Sequence, residues 1–504
     1  MSNARRSKTT LVILLAAGWA AAGTFAIFWW RDSGVVWKQQ AEPAVKKVRV
    51  EKRIETAPKA TPEPRLEPSK VEEPPREGGL SKAFREWSAR TELKGALVAL
   101  CVLDEEGRTL FASPLAETAL CPASSMKTLT TGAAFGLLGP DHRFETTLTA
   151  NAKIDAAGVL DGDLELTGSG DPTLAREDLE AMADAVVAKG LKKISGGIVV
   201  NTKVFAAEPV SEHWNWGDIG NAYGAGTYGV NVDHNRMTLT FDPADKEGGP
   251  AKLAGSDPVL PGIKWDCVVA TGAAGSGDQV TVFSEPYGKE ISIRGSVPLG
   301  ERGFTVNAAI PDPPAYAADV LRARLVKAGV KIAGGASRRT DTRVALAGHR
   351  SEALPEIIDH LHRVSDNLES QALYLTMGNL KHDDPAKVVW KFWEDAGVSF
   401  EGLRMIDGNG LARATMIRPL DLARVNLAAS RAATGERYVR SLSGSGPMRS
   451  KRGAMSGVRT EVGFIQTPDG HRRVFALMGN GLDTNLDFWT LRTPLLEAVR
   501  TAAD

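Results

Sequence analysis

The hairpin signals of this 504-residue chain lie at opposite ends of its globular part. "ALVALCVLDEEGRTLFAS", residues 96–113, reads as two strands around a Glu-Glu-Gly turn. "KRGAMSGVRTEVGFIQTPDGHRRVFALMGNG", residues 451–481, reads as three strands, with Pro-Asp-Gly in the second turn. A helix closes the chain at "NLDFWTLRTPLLEAVR". Helical spacing of apolar residues recurs in "PASSMKTLTTGAAFGLL", "PAYAADVLRARLVKAG" and "LPEIIDHLHRVSDNLESQALYLTMG". After Asp141 come short strands such as "RFETTLTA", "GDLELTG" and "GGIVVNT", with one helix, "AREDLEAMADAVVAKG". Residues 225–310 are Gly-rich and strand-like. The pattern predicts an α/β (α+β) fold, with one antiparallel sheet joining the early hairpin to the late strands. Helices flank that sheet. The expected boundaries are 80–146 for the first part, 147–340 for a mostly β insertion of two small subdomains, and 341–504 for the second part.

The first 79 residues belong to another class. Arg5, Arg6 and Lys8 precede "TLVILLAAGWAAAGTFAIFWW", 21 uncharged residues at 10–30. That is the length a helix needs to cross about 30 Å of hydrocarbon. Positive charge stays on the cytoplasmic side, so residues 1–9 are expected there and everything after residue 30 outside. The expected arrangement is a transmembrane signal anchor in the inner membrane with a periplasmic or extracytoplasmic globular part. A cleaved signal peptide giving a secreted periplasmic protein is the rival. Residues 31–79 are rich in proline and charge, as in "APKATPEPRLEPSKVEEPPREGG". Such a segment cannot bury enough apolar surface to offset its chain entropy, and reads as a disordered, extended linker.

Lysine plus arginine equals aspartate plus glutamate, 61 each, so charge offers no footprint for nucleic acid. Three cysteines, Cys101, Cys121 and Cys267, are too few for a disulfide scaffold, and leave any pairing open. Eight scattered histidines without CxxC or HExxH spacing give no metal-ligand cluster.

Ser124 and Lys127 stand three residues apart at the head of an apolar helix, on one face. A buried lysine near other cations loses its proton readily and can then activate a serine for attack on a carbonyl. The bland alternative is a helix-capping serine followed by a surface lysine. Ser365 and Asn367, in "RVSDNLES", can bring a hydroxyl and an amide to the same cleft, or merely begin a helix. Lys451, Arg452, Gly453 and Ala454 start a strand. Lys451 can supply positive potential, Gly453 can admit a substrate backbone, and the Ala454 amide can join that of Ser124 in an oxyanion hole.

In this order, Ser-x-x-Lys, Ser-Asp-Asn and Lys-x-Gly resemble the signature of penicillin-recognising serine enzymes. The gap from Ser124 to Ser365, with "PASSMKTLTTGAAFGLLGPDHRFETTL", "GDLELTGSGDPTL", "YGAGTYGVNVDHNRMTLTF" and "DGNGLARATMIRP", is similar to class C low-molecular-mass penicillin-binding proteins. These are D-alanyl-D-alanine carboxypeptidases and endopeptidases. The resemblance covers residues 82–503. It implies a β-lactamase/transpeptidase-like domain and cleavage of D-Ala–D-Ala or cross-link bonds in peptidoglycan stem peptides through an acyl-enzyme, with β-lactams as inhibitors. Neither a metal nor an organic cofactor is implied. Ser124 would be the nucleophile, Lys127 its base and Ser365 the proton relay. Asn367 would bind a substrate amide, and Lys451 the terminal carboxylate. Asp407, Gly408 and Gly410 are read as a structural turn, as are Gly170, Asp171 and Pro172.

The third motif departs from pattern. Relatives carry a hydroxyl residue where this chain has Arg452, and often another at Ala454; these help bind the carboxylate. Arg452 can replace them with a bidentate contact, or turn away. An impaired wall-binding protein on the same fold, or an esterase or amidase of altered substrate, are the alternatives.

Overall fold

The computed structural model describes residues 78–335 and 343–502. The apolar run at 10–30 and its expected anchor role lie outside the described residues. Among the described residues, no helix is long and apolar enough to cross a membrane.

One five-stranded antiparallel sheet joins the two ends of the globular chain. Its strands are β1 (Leu97–Leu103), β2 (Thr109–Ala112), β3 (Met448–Met455), β4 (Val458–Gln466) and β5 (Arg472–Asn480), in the order β3-β4-β5-β1-β2. Strands β1 and β5 pair from Leu97↔Asn480 to Leu103↔Val474. Alternation along the strands gives the sheet two apolar faces. Leu100, Val102, Phe475 and Leu477 pack against α1 (Gly79–Ser88) and the closing helix. Ala99, Cys101, Val462 and Ala476 face the main core. That core is built from α2 (Lys127–Leu137), α3 (Leu354–Val364), α4 (Asn367–Lys381) and α5 (Pro419–Arg431). Helix α2 lies deep in it: residues 127–135 are all buried. At Gly132 an added Cβ would sit 2.8 Å from the Trp393 ring, so glycine sets how closely the helices pack.

The insertion begins and ends in one sheet. Glu145–Ala150 pairs antiparallel with Val344–Arg350. The strands that flank the expected insertion at 147–340 thus close on each other. Three further small sheets follow. Some pairings are parallel, as between Lys264–Gly272 and Glu290–Pro298. Where the sequence suggested two small subdomains, the buried apolar side chains from Leu148 to Leu346 form a single contiguous cluster. Cys101, Cys121 and Cys267 are free thiols.

Candidate active site

Ser124 occupies a 3-10 turn, Ala123–Met126, that runs directly into α2 at Lys127. Residues i and i+3 eclipse in such a turn, which brings the two side chains together. Lys127 Nζ is 2.8 Å from Ser124 Oγ, 2.5 Å from Asn367 Oδ1 and 3.0 Å from the Asn409 carbonyl oxygen. The amine is fully buried. Burial pushes its pKa well below the usual lysine range, and the charge of Lys451 adds to this against Asp366 and Asp407. A neutral amine has two N–H donors and one lone pair. The carbonyls of Asn367 and Asn409 take both donors, which leaves the lone pair facing the Ser124 hydroxyl. Ser125 points elsewhere, with its Oγ 2.8 Å from Thr460 Oγ1.

Backbone conformation holds both hydroxyls. Ala123, just before Ser124, has φ 46°, and Ser365 has φ 62°. Left-handed geometry is costly for non-glycine residues and persists where surrounding packing enforces it. At Ser365 it ends α3. Asp366 then caps α4 by accepting from the Glu369 amide at 2.9 Å. The helix-start reading of "SDN" thus holds at Asp366. Asp366 is the cap, and Asn367 is free to bond Lys127 through Oδ1 and the Tyr223 carbonyl through Nδ2, at 2.7 Å.

Strand β3 forms the other wall. Lys451 Nζ donates to Ser365 Oγ and to the Arg452 carbonyl, each at 2.8 Å. Burial lowers its pKa to about 7. Gly453 packs against the nucleophile turn. A Cβ there would lie 2.7 Å from the Pro122 oxygen and 2.9 Å from the Ser124 nitrogen. The chain's own backbone therefore already calls for glycine here. Ser124, Ser365, Lys451, Arg452 and Ala454 border one cleft of about 560 Å³.

Arg452 turns away from the centre of that cleft. Alternation puts it on the sheet face opposite Lys451. There its Nε donates to Glu461 at 3.2 Å, and its guanidinium lies 4.9 Å from the Trp489 ring centroid. These partners follow from the register, since Glu461 stands directly across the ladder from Arg452, and they match the outward-turned alternative.

Sequence reasoning missed several contributors. It took Asp407–Gly410 for a turn only, yet the Asn409 carbonyl holds Lys127. Asp407 fixes that turn, accepting from the amides of Gly410 and Ala412 and from Trp214 Nε1 at 2.8 Å. Gly410 has φ 79°, and a Cβ there would meet the Ala123 oxygen at 1.9 Å. Trp214, Tyr223 and Arg236 bring the insertion to the site, the last through Asp366 at 2.6 Å. No local pattern flags backbone carbonyls or contacts between such distant segments.

The D-Ala-D-Ala carboxypeptidase 3 (S13) family profile matches residues 80–446, well over half of the chain. The chain belongs to this family. It is 29% identical over 429 residues to a D-alanyl-D-alanine carboxypeptidase of Actinomadura sp. (strain R39), covering 77% of this chain and 78% of that one. D-alanyl-D-alanine carboxypeptidase DacB of Haemophilus influenzae is 25% identical over 410 residues, covering 76% and 85%. The crystal structure of penicillin binding protein 4 of H. influenzae superposes with a TM-score of 0.70 at 23% identity, over 84% of this chain and 97% of that one. That likeness is one of fold. The S13 membership agrees with the low-molecular-mass penicillin-binding resemblance read from the motifs.

Proposed function

We infer that this S13 protein is a serine D-Ala-D-Ala carboxypeptidase that works through an acyl-enzyme and is acylated by β-lactams. The observation that carries the chemistry is the coordination of Lys127, two carbonyl acceptors and one serine hydroxyl around a buried amine. Ser124 Oγ bonds to the substrate carbonyl carbon as its proton passes to Lys127. The oxyanion rests on the amides of Ser124 and Ala454. As the C–N bond breaks, Ser365 relays a proton to the departing D-alanine amine. Lys451 orients Ser365 and meets the terminal carboxylate, and Asn367 holds a substrate amide. Water then hydrolyses the ester and frees Ser124. Peptidoglycan stem peptides are the substrate class, and cross-link cleavage is the proposed second activity. The charges before the apolar run at 10–30 support a membrane anchor that holds this domain on the periplasmic side.

Labelling with a fluorescent penicillin, beside Ser124→Ala, tests the reading. Labelling of the wild type that vanishes in the variant is expected. No labelling of a folded wild type would instead favour the impaired wall-binding alternative.

A further inference from the structure

The insertion meets the first turn of α4 at a second cluster of side chains. His234 sits in a left-handed turn, with φ of 52°, 53° and 54° at Asp233, His234 and Asn235. Conformations of this kind are costly for three successive non-glycine residues, so packing holds His234 where it is. It faces His360 from α3 at 5.3 Å between ring centroids. Glu369, on α4, completes the group and is wholly buried. Ligating atoms of the three side chains all lie within 4.8 Å of one another.

Two of those side chains carry unsatisfied atoms. One Glu369 oxygen is 2.7 Å from His360 Nδ1, while Oε2 has no hydrogen-bond partner. His234 Nδ1 is buried and has none either; Asp366 Oδ2 at 3.5 Å and Glu369 Oε1 at 3.9 Å are its nearest acid oxygens. Buried polar atoms without partners are rare and costly. Asp366 is already matched by Arg236 at 2.6 Å. Glu369 is thus the carboxylate left to balance an added positive charge.

We propose that His234, His360 and Glu369 form a binding site for a zinc-class divalent cation that clamps the insertion to the first turn of α4. Two imidazoles and one carboxylate suit zinc better than the all-oxygen shells of magnesium or calcium. Tetrahedral bonds of about 2.0–2.2 Å place ligand atoms about 3.3–3.6 Å apart, so the pair standing furthest apart must close by about 1 Å as the ion binds. The clamp would steady Asn367, two residues before Glu369, and with it the partner of Lys127. The sequence hid this cluster because its ligands are spread over residues 234–369 with no motif spacing. The proposal is independent of the reading of the cleft.

The test is calorimetric titration of the chelator-treated full chain with Zn²⁺, beside His360→Ala and the double variant His234→Asn/His360→Ala. One equivalent should bind and raise the thermal midpoint. Affinity should fall at least tenfold in His360→Ala, and binding should vanish in the double variant, with penicillin labelling as the check on folding. Absence of saturable binding, or undiminished binding in a labelled double variant, overturns the proposal. Should the variants not fold, Co²⁺ added to the wild type decides: a four- or five-coordinate visible spectrum supports the site, and an aqua-ion spectrum rejects it.

Discussion

Lys127 and Lys451 repel each other across the cleft, and that repulsion adds to burial in driving Lys127 toward its neutral form. In the proposed mechanism the neutral amine is the base, so acylation should rise with pH as Lys127 loses its proton. Lys451 is charged below its own pKa of about 7. Removing that charge relieves the repulsion and raises the Lys127 pKa. Lys451→Met should therefore move the acid limb of the penicillin acylation profile to higher pH. Its amplitude should also fall, by about 10²–10³, through loss of a positioned cation. Stopped-flow labelling from about pH 5 to 9 reads both effects. A limb that keeps its position in the variant would show that the two lysines are not coupled.

Gly453 governs the contact between β3 and the nucleophile turn. A methyl group there would lie 2.4 Å from Thr460 Oγ1 as well as against the Pro122 and Ser124 backbone. Backbone atoms cannot swing aside, so the strand or the turn must shift. Gly453→Ala should cost about 1–3 kcal/mol of stability. A displacement of Ser124 approaching 1 Å should slow acylation about 100-fold. Gly255→Ala, where a Cβ has open space within 4 Å, is the control and should do neither. Chemical denaturation and labelling rates measure the pair. Equal effects at both glycines would sink the argument.

Much of this was legible in the residues. The five-stranded sheet follows from hairpin signals at both chain ends, since strands that each bury two faces need partners. Ser124, Lys127, Ser365 and Lys451 were legible because their chemistry resides in side chains at fixed spacing. What escaped is held by the backbone or by distant segments. Asn409 acts through its carbonyl oxygen, which every residue possesses. Trp214 meets Asp407 across a separation of 193 positions in the chain. The partners of Arg452 escaped because its cross-strand neighbour Glu461 is visible only in the register.

Arg452 and Arg492 both bond Glu461, and their unequal burial gives the last prediction. Glu461 is fully buried, and the Arg492 side chain is 6% exposed against 51% for Arg452. Removing Arg492 leaves a buried carboxylate without its main counter-charge. Arg492→Met should therefore cost about 3–5 kcal/mol. Arg452 is screened by water and contributes an exposed ion pair and an exposed ring contact. Arg452→Ala should cost about 1 kcal/mol at most. Denaturant midpoints at equal slope separate the two. Because its guanidinium is engaged by Glu461 and Trp489, Arg452→Ala should also leave KM for a peptide ending in a free carboxylate within about threefold. A tenfold rise in KM with stability unchanged would place Arg452 on the substrate carboxylate. The cost of removing Arg492 would still stand in that case, since it depends only on Glu461 staying buried.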